Sequence, residues 1–241
     1  PLMQGFSGLA QGTGTEHSPS RVAAPVTDFM TGMWSVIGAL SALHTRGGER
    51  AGTKVDVSLM ESGIALMTMF VGLYQSTGAR PERRGLQGPL VAPNGGFMTE
   101  DGLIMIVCGT NSLFTKLCEA IGRGDLIEDA RFGSSVQRYA NRTELTAEIE
   151  SVLATKPREH WISVIGNANV PVAPVNHVDE MMAHPQARAV QIIDRLPGSE
   201  AEENAFEAVR LPVRFDGERA TYREAGPPLG EHTADILGPY L

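Results

Sequence analysis

Apolar positions recur at helical spacing over residues 24–46. Val26, Met30, Met33, Ile37, Leu40 and His44 follow one another at steps of four and three, and Phe29, Val36 and Leu43 widen the same stripe. This periodicity predicts an amphipathic helix with one buried apolar face. Pro25 suits a first helical position, where no N–H is needed. Arg46, Gly47 and Gly48 end the helix, a cation followed by residues free to take positive φ. Gly32, Gly38, Ala39 and Ala42 leave room for another backbone to approach. After the glycines the pattern changes. Lys54 to Met60 alternates, with Val55, Val57 and Leu59 on one side, which predicts a short strand. Residues 61–75 are apolar almost all round, as in a helix buried on several sides. That run is too short for a membrane span, and no other stretch reads as one.

The remaining patterning predicts an α/β chain in three parts. Residues 1–24 are rich in Gly, Ser, Thr and Pro and read as loop, with one helical turn near residues 3–10. Residues 77–96 form a second loop-rich stretch. Phe97-Met98-Thr99 and residues 103–107 flank Glu100-Asp101-Gly102, a hairpin. Residues 111–121 are amphipathic, with Leu113, Phe114, Leu117, Cys118 and Ile121 inward, and Arg123-Gly124-Asp125 reads as the turn that ends them. Asn141 and Glu144 open a helix to residue 155 in capping-box fashion. Pro157 opens another, with Trp161, Val164 and Ile165 inward. Residues 170–175 read as an extended connection, and 176–189 as a helix broken near His184-Pro185. Residues 191–196 and 209–215 read as strands joined through an acidic loop at 198–206. The division expected is 1–76 as part of a large lobe, 77–175 as linker and small α+β lobe, and 176–241 as a return to the large lobe.

A chain of 241 residues can bury a substantial core. Its net charge of −8 argues against a general binder of nucleic acid or anionic membranes. It does not exclude an anionic ligand held by a local cluster, and Arg80, Arg83 and Arg84 form one. Forked guanidinium groups suit phosphates. Gly85, Gly88, Gly95 and Gly96 follow, and read either as a mobile flap or as part of a solvated linker between lobes. Cys108 and Cys118 read as buried thiols rather than a disulfide framework, which makes a cytoplasmic location the expectation. The six histidines are scattered and no metal constellation or G-x-S-x-G elbow is present, so no metal is expected. Gly12-Thr13-Gly14-Thr15 lacks the ending of a phosphate loop and reads as a turn. His17 reads as an exposed loop residue, and His232 as a locally hydrogen-bonded one. Asp28 sits in the first turn of the 24–46 helix, facing unpaired N–H groups and the positive end of the dipole. On spacing alone it is a cap or dipole partner.

Several segments together change that reading of Asp28. Gln4-Gly5-Phe6-Ser7-Gly8-Leu9, Gly14, Thr27-Asp28-Phe29-Met30-Thr31-Gly32, Gly38-Ala39-Leu40-Ser41-Ala42-Leu43 and Lys54-Val55-Asp56-Val57-Ser58-Leu59-Met60-Glu61 stand in the order and spacing of the family III CoA-transferases. Residues 97–109, 111–121 and 171–175, with Leu229-Gly230-Glu231-His232-Thr233, fit the same pattern. The chain resembles that family over nearly its whole length, a family that includes formyl-CoA:oxalate and carnitine CoA-transferases and the related α-methylacyl-CoA racemases. The resemblance implies a large lobe plus a small lobe, an interlaced homodimer, and a Rossmann-like region of about a hundred or more residues ahead of Pro1, absent from this chain. It implies acyl-CoA and a carboxylic acid as substrates, with coenzyme A transferred through an aspartyl-CoA thioester on Asp28. Arg80, Arg83 and Arg84 would meet CoA phosphates, and Gly95 and Gly96 would close over the thioester. Two other readings stand beside it. A 2-methylacyl-CoA racemase needs an acid just past Gly109, where this chain has Thr110-Asn111-Ser112. A non-catalytic subunit would need the amino-terminal lobe from a separate chain.

Overall fold

The computed structural model describes residues 1–46, 52–196, 207–222 and 226–240. The chain divides into two units, Pro1–Val175 and Asn176–Leu241.

The first unit opens with two short helices, α1 (Leu2–Phe6) and α2 (Leu9–Gly12), and a two-stranded ladder of β1 (Gly14–Thr15) and β2 (Ser18–Pro19). Gly14 has φ +105°, and a Cβ there would run into the Ser18 carbonyl oxygen, so only glycine closes this turn. Helix α3 (Val26–His44) follows, as its periodicity predicts. Its apolar face is not buried within the chain, however. Phe29, Met33, Val36, Ile37, Leu40 and Leu43 are all exposed. Periodicity identifies an apolar face but not what covers it. By length and composition this helix, with a mean hydropathy of 1.2, is also long and apolar enough to cross a membrane, which the sequence reading did not expect.

The strand expected over 54–60 does not form. Residues 52–58 join no ladder, and Ser58 caps α4 (Leu59–Leu66) instead. Its hydroxyl accepts from the Glu61 N–H at 3.1 Å and donates to the Glu61 carboxylate at 2.6 Å. The cap satisfies a helix-end donor locally, whereas the alternating pattern finds no strand to pair with. The helix expected over 61–75 breaks at Met67, and α5 (Thr68–Thr77) continues beyond it. Its surroundings differ too, since Ile64, Leu66, Met69, Val71 and Tyr74 are exposed.

The expected hairpin is β3 (Asn94–Met98) with β4 (Leu103–Val107), closed by the Thr99 N–H on the Gly102 carbonyl at 2.9 Å. Helices α6 (Asn111–Ala120), α7 (Asp125–Glu128), α8 (Ser135–Ala140), α9 (Arg142–Leu153) and α10 (Arg158–Asn167) follow. The 170–175 connection contributes a third strand, β5 (Val172–Pro174), antiparallel to β4. One face of this sheet and the helices close a core of Phe97, Ile104, Ile106, Leu117, Ile149 and Ile165, with Leu145, Leu153 and Trp161 among the residues around it. Leu145, Ile149 and Leu153 recur every four residues along α9, which puts them on one face. Asn141 does not form the expected capping box. Its amide donates to the Arg131 and Gln137 carbonyls, tying α9 to the preceding loop. Arg123 and Asp125 form an ion pair after α6, and Arg123 also reaches Glu148.

The second unit holds α11 (Val178–Ala183) and α12 (Pro185–Ala189), broken at His184 as expected. Strands β6 (Ile193–Arg195) and β7 (Glu207–Val209) pair antiparallel, and α13 (Thr233–Leu237) lies near the end. The strand expected over 209–215 thus ends at Val209. Arg210 turns to an ion pair with Asp194, and Phe215 bridges back to Glu218. The expected helix end at Gly47-Gly48 and the loop at 198–206 lie outside the described residues.

Candidate active site

Asp28 stands in the first turn of α3, exposed. Its carboxylate accepts from the Thr27 hydroxyl at 3.4 Å, and Thr27 itself is buried. The N–H groups of Asp28 and Phe29 donate to the Pro25 carbonyl, and that of Val26 to Ala24. Those donors are therefore engaged at the helix start. Upstream, the Gln4 amide holds the backbone of Val22 at two points, accepting from its N–H at 2.9 Å and donating to its carbonyl at 3.2 Å. Downstream, the Thr31 hydroxyl lies 2.7 Å from the Thr27 carbonyl and 2.9 Å from the Ser62 hydroxyl of α4.

The arginine-rich loop borders a separate feature, a cleft of about 910 Å³. Its walls include His17, Glu82, Arg83, Arg84, Arg142 and Glu150. Arg83 is committed to structure. Its Nε and Nη2 donate to the carbonyls of Thr15 and Glu16, both at 3.0 Å, which ties the 80s loop to the segment ahead of α3. Arg84 and Arg142 both lie against the Tyr139 ring, 5.0 and 5.1 Å from its centroid, and converge on the same oxygen of Glu82 at 2.6 and 3.5 Å. The Arg84 Nη1 is buried and has no hydrogen-bond partner among the described residues. Two guanidinium groups on one carboxylate oxygen make a geometry that an anionic group of a ligand would also satisfy.

The other anticipated residues are placed differently. Arg80 is exposed and does not line the cleft. Gly95 and Gly96 are buried in β3 and paired with β4, held as a strand rather than free as a flap. A Cβ on Gly95 would lie 2.7 Å from the Leu86 carbonyl oxygen, and one on Gly96 would lie 2.6 Å from the Leu86 side chain. These glycines let residues 86–88 run alongside the sheet. Asp28 is not among the residues lining the cleft.

Four residues carry geometry that the sequence reading left unassigned: Gln4, Glu82, Tyr139 and Arg142. Gln4 stands in one of the segments that carry the family resemblance, but an amide in α1 has no spacing signal for a partner 18 residues away. Among the described residues, no group of three or more His, Cys, Asp or Glu side chains is placed to hold a metal ion.

A family model described as CoA-transferase family III matches residues 1–233. The chain is 31% identical over 229 residues to an acetyl-CoA:oxalate CoA-transferase of Acetobacter aceti, covering 94% of this chain and 57% of that protein. It is 29% identical over 238 residues to an acyl-CoA transferase of Fusarium pseudograminearum (strain CS3096), covering 98% of this chain and 52% of that one. The crystal structure of a CAIB/BAIF family protein from Brucella suis superposes with a TM-score of 0.83 at 29% identity, over 99% of this chain and 61% of that chain. The chain thus spans 52–61% of the length of these three proteins.

Proposed function

This chain belongs to CoA-transferase family III, and on that premise we propose that the complete protein moves coenzyme A from an acyl-CoA to a carboxylic acid through Asp28. The observation that carries the proposal is the family match over residues 1–233, with Asp28 exposed in the first turn of α3. Relatives in the same set are named as acetyl-CoA:oxalate and succinate–glutarate CoA-transferases, which supports a carboxylic acid as acceptor.

In the proposed cycle an Asp28 oxygen attacks the donor thioester carbonyl. The C–S bond breaks, leaving a mixed anhydride and CoA thiolate. The thiolate attacks the aspartyl carbonyl, the donor acid leaves as its carboxylate, and an aspartyl-CoA thioester remains. The acceptor carboxylate attacks that thioester and expels CoA thiolate, which then takes the acceptor acyl group and frees Asp28. A carboxylate nucleophile works on a thioester when it is held in line and shielded from water. Each tetrahedral centre needs hydrogen-bond donors. The N–H groups of Val26, Asp28 and Phe29 are already engaged, so other donors would have to serve. CoA phosphates would be met by the cluster of Arg84 and Arg142, with Arg83 and Arg80 on the same loop. Gly95 and Gly96 would support that loop from beneath.

Thr110 and Asn111 stand where a racemase needs its second acid. Thr110 caps α6 by accepting from the Leu113 N–H at 3.2 Å, and Asn111 accepts from Arg138 at 2.8 Å. Both have structural work, which supports transfer over racemisation. An interlaced homodimer is supported by the exposed apolar face of α3, and a cytoplasmic location by two free buried thiols. The amino-terminal region of the complete protein would complete the CoA pocket.

The test is exchange of labelled carboxylate into acyl-CoA by the complete protein, with Asp28→Asn beside the wild type. Losing the nucleophile removes the covalent route, so the rate should fall by orders of magnitude. The lost dipole interaction costs only about 0.3–1 kcal/mol, so melting should change little. Near-normal exchange by Asp28→Asn would refute the mechanism.

A further inference from the structure

In residues 1–77 the side chains that are hidden from solvent are mostly polar. Among the described residues of that stretch, the buried ones are Gln4, Thr27, Ser62, Gly63 and Met67. Gln4, Thr27 and Ser62 are 3%, 2% and 1% exposed, while the large apolar side chains around them point to solvent. Burying polar groups is costly unless they are hydrogen-bonded, and these are.

The contacts close a ring. Gln4 of α1 grips the Val22 backbone through both atoms of its amide. Val22 leads through three residues to the start of α3, and Asp28 follows in its first turn. Thr31, one turn on, meets Ser62 of α4, whose hydroxyl in turn reaches the Ser58 carbonyl at 2.9 Å. Helix α4 then returns to α1. A Cβ on Gly63 would lie 3.0 Å from the Ser7 side chain and 3.5 Å from the Met3 carbonyl oxygen, so the two helices touch at backbone distance. Asp28 is bracketed by the Val22 clamp on one side and the Thr31–Ser62 contact on the other. Among the described residues its exposed side chain has only the long Thr27 contact to orient it, so its placement depends on the backbone that the ring holds.

We propose that Gln4 is a positioning residue for Asp28, fixing the loop that delivers the first turn of α3, with the Thr31–Ser62 contact as the second anchor. The inference rests on the reading of Asp28 as nucleophile. An amide is suited to the task because it offers one donor and one acceptor to the two groups of a single residue's backbone. A buried polar contact with both partners satisfied, as between Gln4 and Val22, rigidifies the backbone it joins.

The experiment is rapid quench and mass spectrometry of the complete protein with acetyl-CoA or succinyl-CoA, the donors named for its relatives. It reads both the rate and the final occupancy of the thioester on Asp28. Gln4→Met keeps the length and loses both hydrogen bonds. It should form the thioester on the order of a hundredfold more slowly, the scale of a 1 Å misplacement, while reaching the same final occupancy with little change in donor KM. Gln4→Glu keeps the acceptor for the Val22 N–H and should fall between. A merely structural role would lower the occupancy by losing folded protein and leave the rate in the remainder unchanged, and that result would overturn the proposal. If Gln4→Met does not fold, Thr31→Val decides. It should also slow thioester formation, and a wild-type rate would overturn the proposal. A wild type that forms no thioester on Asp28 overturns the transferase mechanism as well, whereas normal thioester in wild type and variants alike overturns only this inference.

Discussion

Residues 92–170 and residues 1–77 are both rich in apolar side chains, yet they place them in opposite ways. In the first region Phe97, Ile104, Ile106, Leu117, Ile149 and Ile165 have no more than 2% of their surface exposed and pack in one cluster. In the second, Phe29, Met33, Leu40 and Leu43 of α3 are each more than half exposed, and beside Gly63 and Met67 the buried groups are the polar side chains of Gln4, Thr27 and Ser62. The small region therefore completes its own core. The helices around Asp28 do not, and a contiguous apolar helix face marks a surface meant to be covered. The second region leaves an apolar helix face uncovered within the chain, and the first encloses its own apolar side chains.

The largest effect that tests this contrast is a pair of truncations. Leu117→Ala empties fully buried volume and should destabilise the chain by about 2–5 kcal/mol in urea unfolding. Leu40→Ala in the same chain should fall within about 0.5 kcal/mol, as exposed substitutions do. In the complete protein, a Leu40→Ala cost rising toward that of Leu117→Ala would show the face covered there. Equal small costs in both settings would break the comparison.

A second effect concerns Arg138, which is 1% exposed inside the first region. Its guanidinium donates to the carbonyls of Ala92 and Phe132 and to the Asn111 side chain, and lies 4.4 Å from the Phe114 ring centroid. These four partners are neutral, and burial lowers its pKa. Arg138→Met strands buried acceptors, each costing about 1–3 kcal/mol. Hydrogen exchange should speed up across α6, β3 and α8 and stay unchanged in α3.

A third effect is a pH dependence, negligible at neutral pH and confined to the alkaline range. Burial pushes the Cys108 thiol up to about 12, helped by Cys118, and burial does the same for Cys118. An unfolded chain ionises both thiols near their ordinary 9.0 while the folded chain keeps the protons. The unfolded state then holds fewer protons, so stability is full below pH 9 and is lost as pH rises toward 12. Melting temperature should fall across that window, less steeply in Cys108→Ala. A thiol reagent at pH 8 should react with neither cysteine until the chain unfolds.

Much of this was legible in the chain. The α3 helix followed from its period, and the β3–β4 hairpin from strands flanking Glu100-Asp101-Gly102. Asp28 alone carried no more than a capping signal, and only the joint spacing of several segments marked it out. Other features depended on distant partners. The 54–60 alternation has the period of a strand, but a strand needs a neighbour, and Ser58 had a nearer use as a cap. Gly95 and Gly96 resemble a flap in sequence, yet what they accommodate is the Leu86 segment pressed against them. The Gln4–Val22 clamp and the Arg138 contacts with Asn111 and Ala92 join groups 18 to 46 residues apart, and no local pattern encodes such pairs.

The two tryptophans of the chain divide between these regions. Trp161 is 6% exposed, its indole N–H donates to the Leu153 carbonyl at 2.8 Å, and the His160 ring meets it edge-on at 4.9 Å. Trp34 lies on α3 and is 43% exposed. The chain thus carries two native fluorophores of different colour, one emitting from a dry interior and the other from water. A quencher dissolved in the buffer will dim Trp34 and leave Trp161 alight. Anything that settles on α3 will shift the red-edge emission to the blue and shield it, so the covering of that helix has its own optical record without a label.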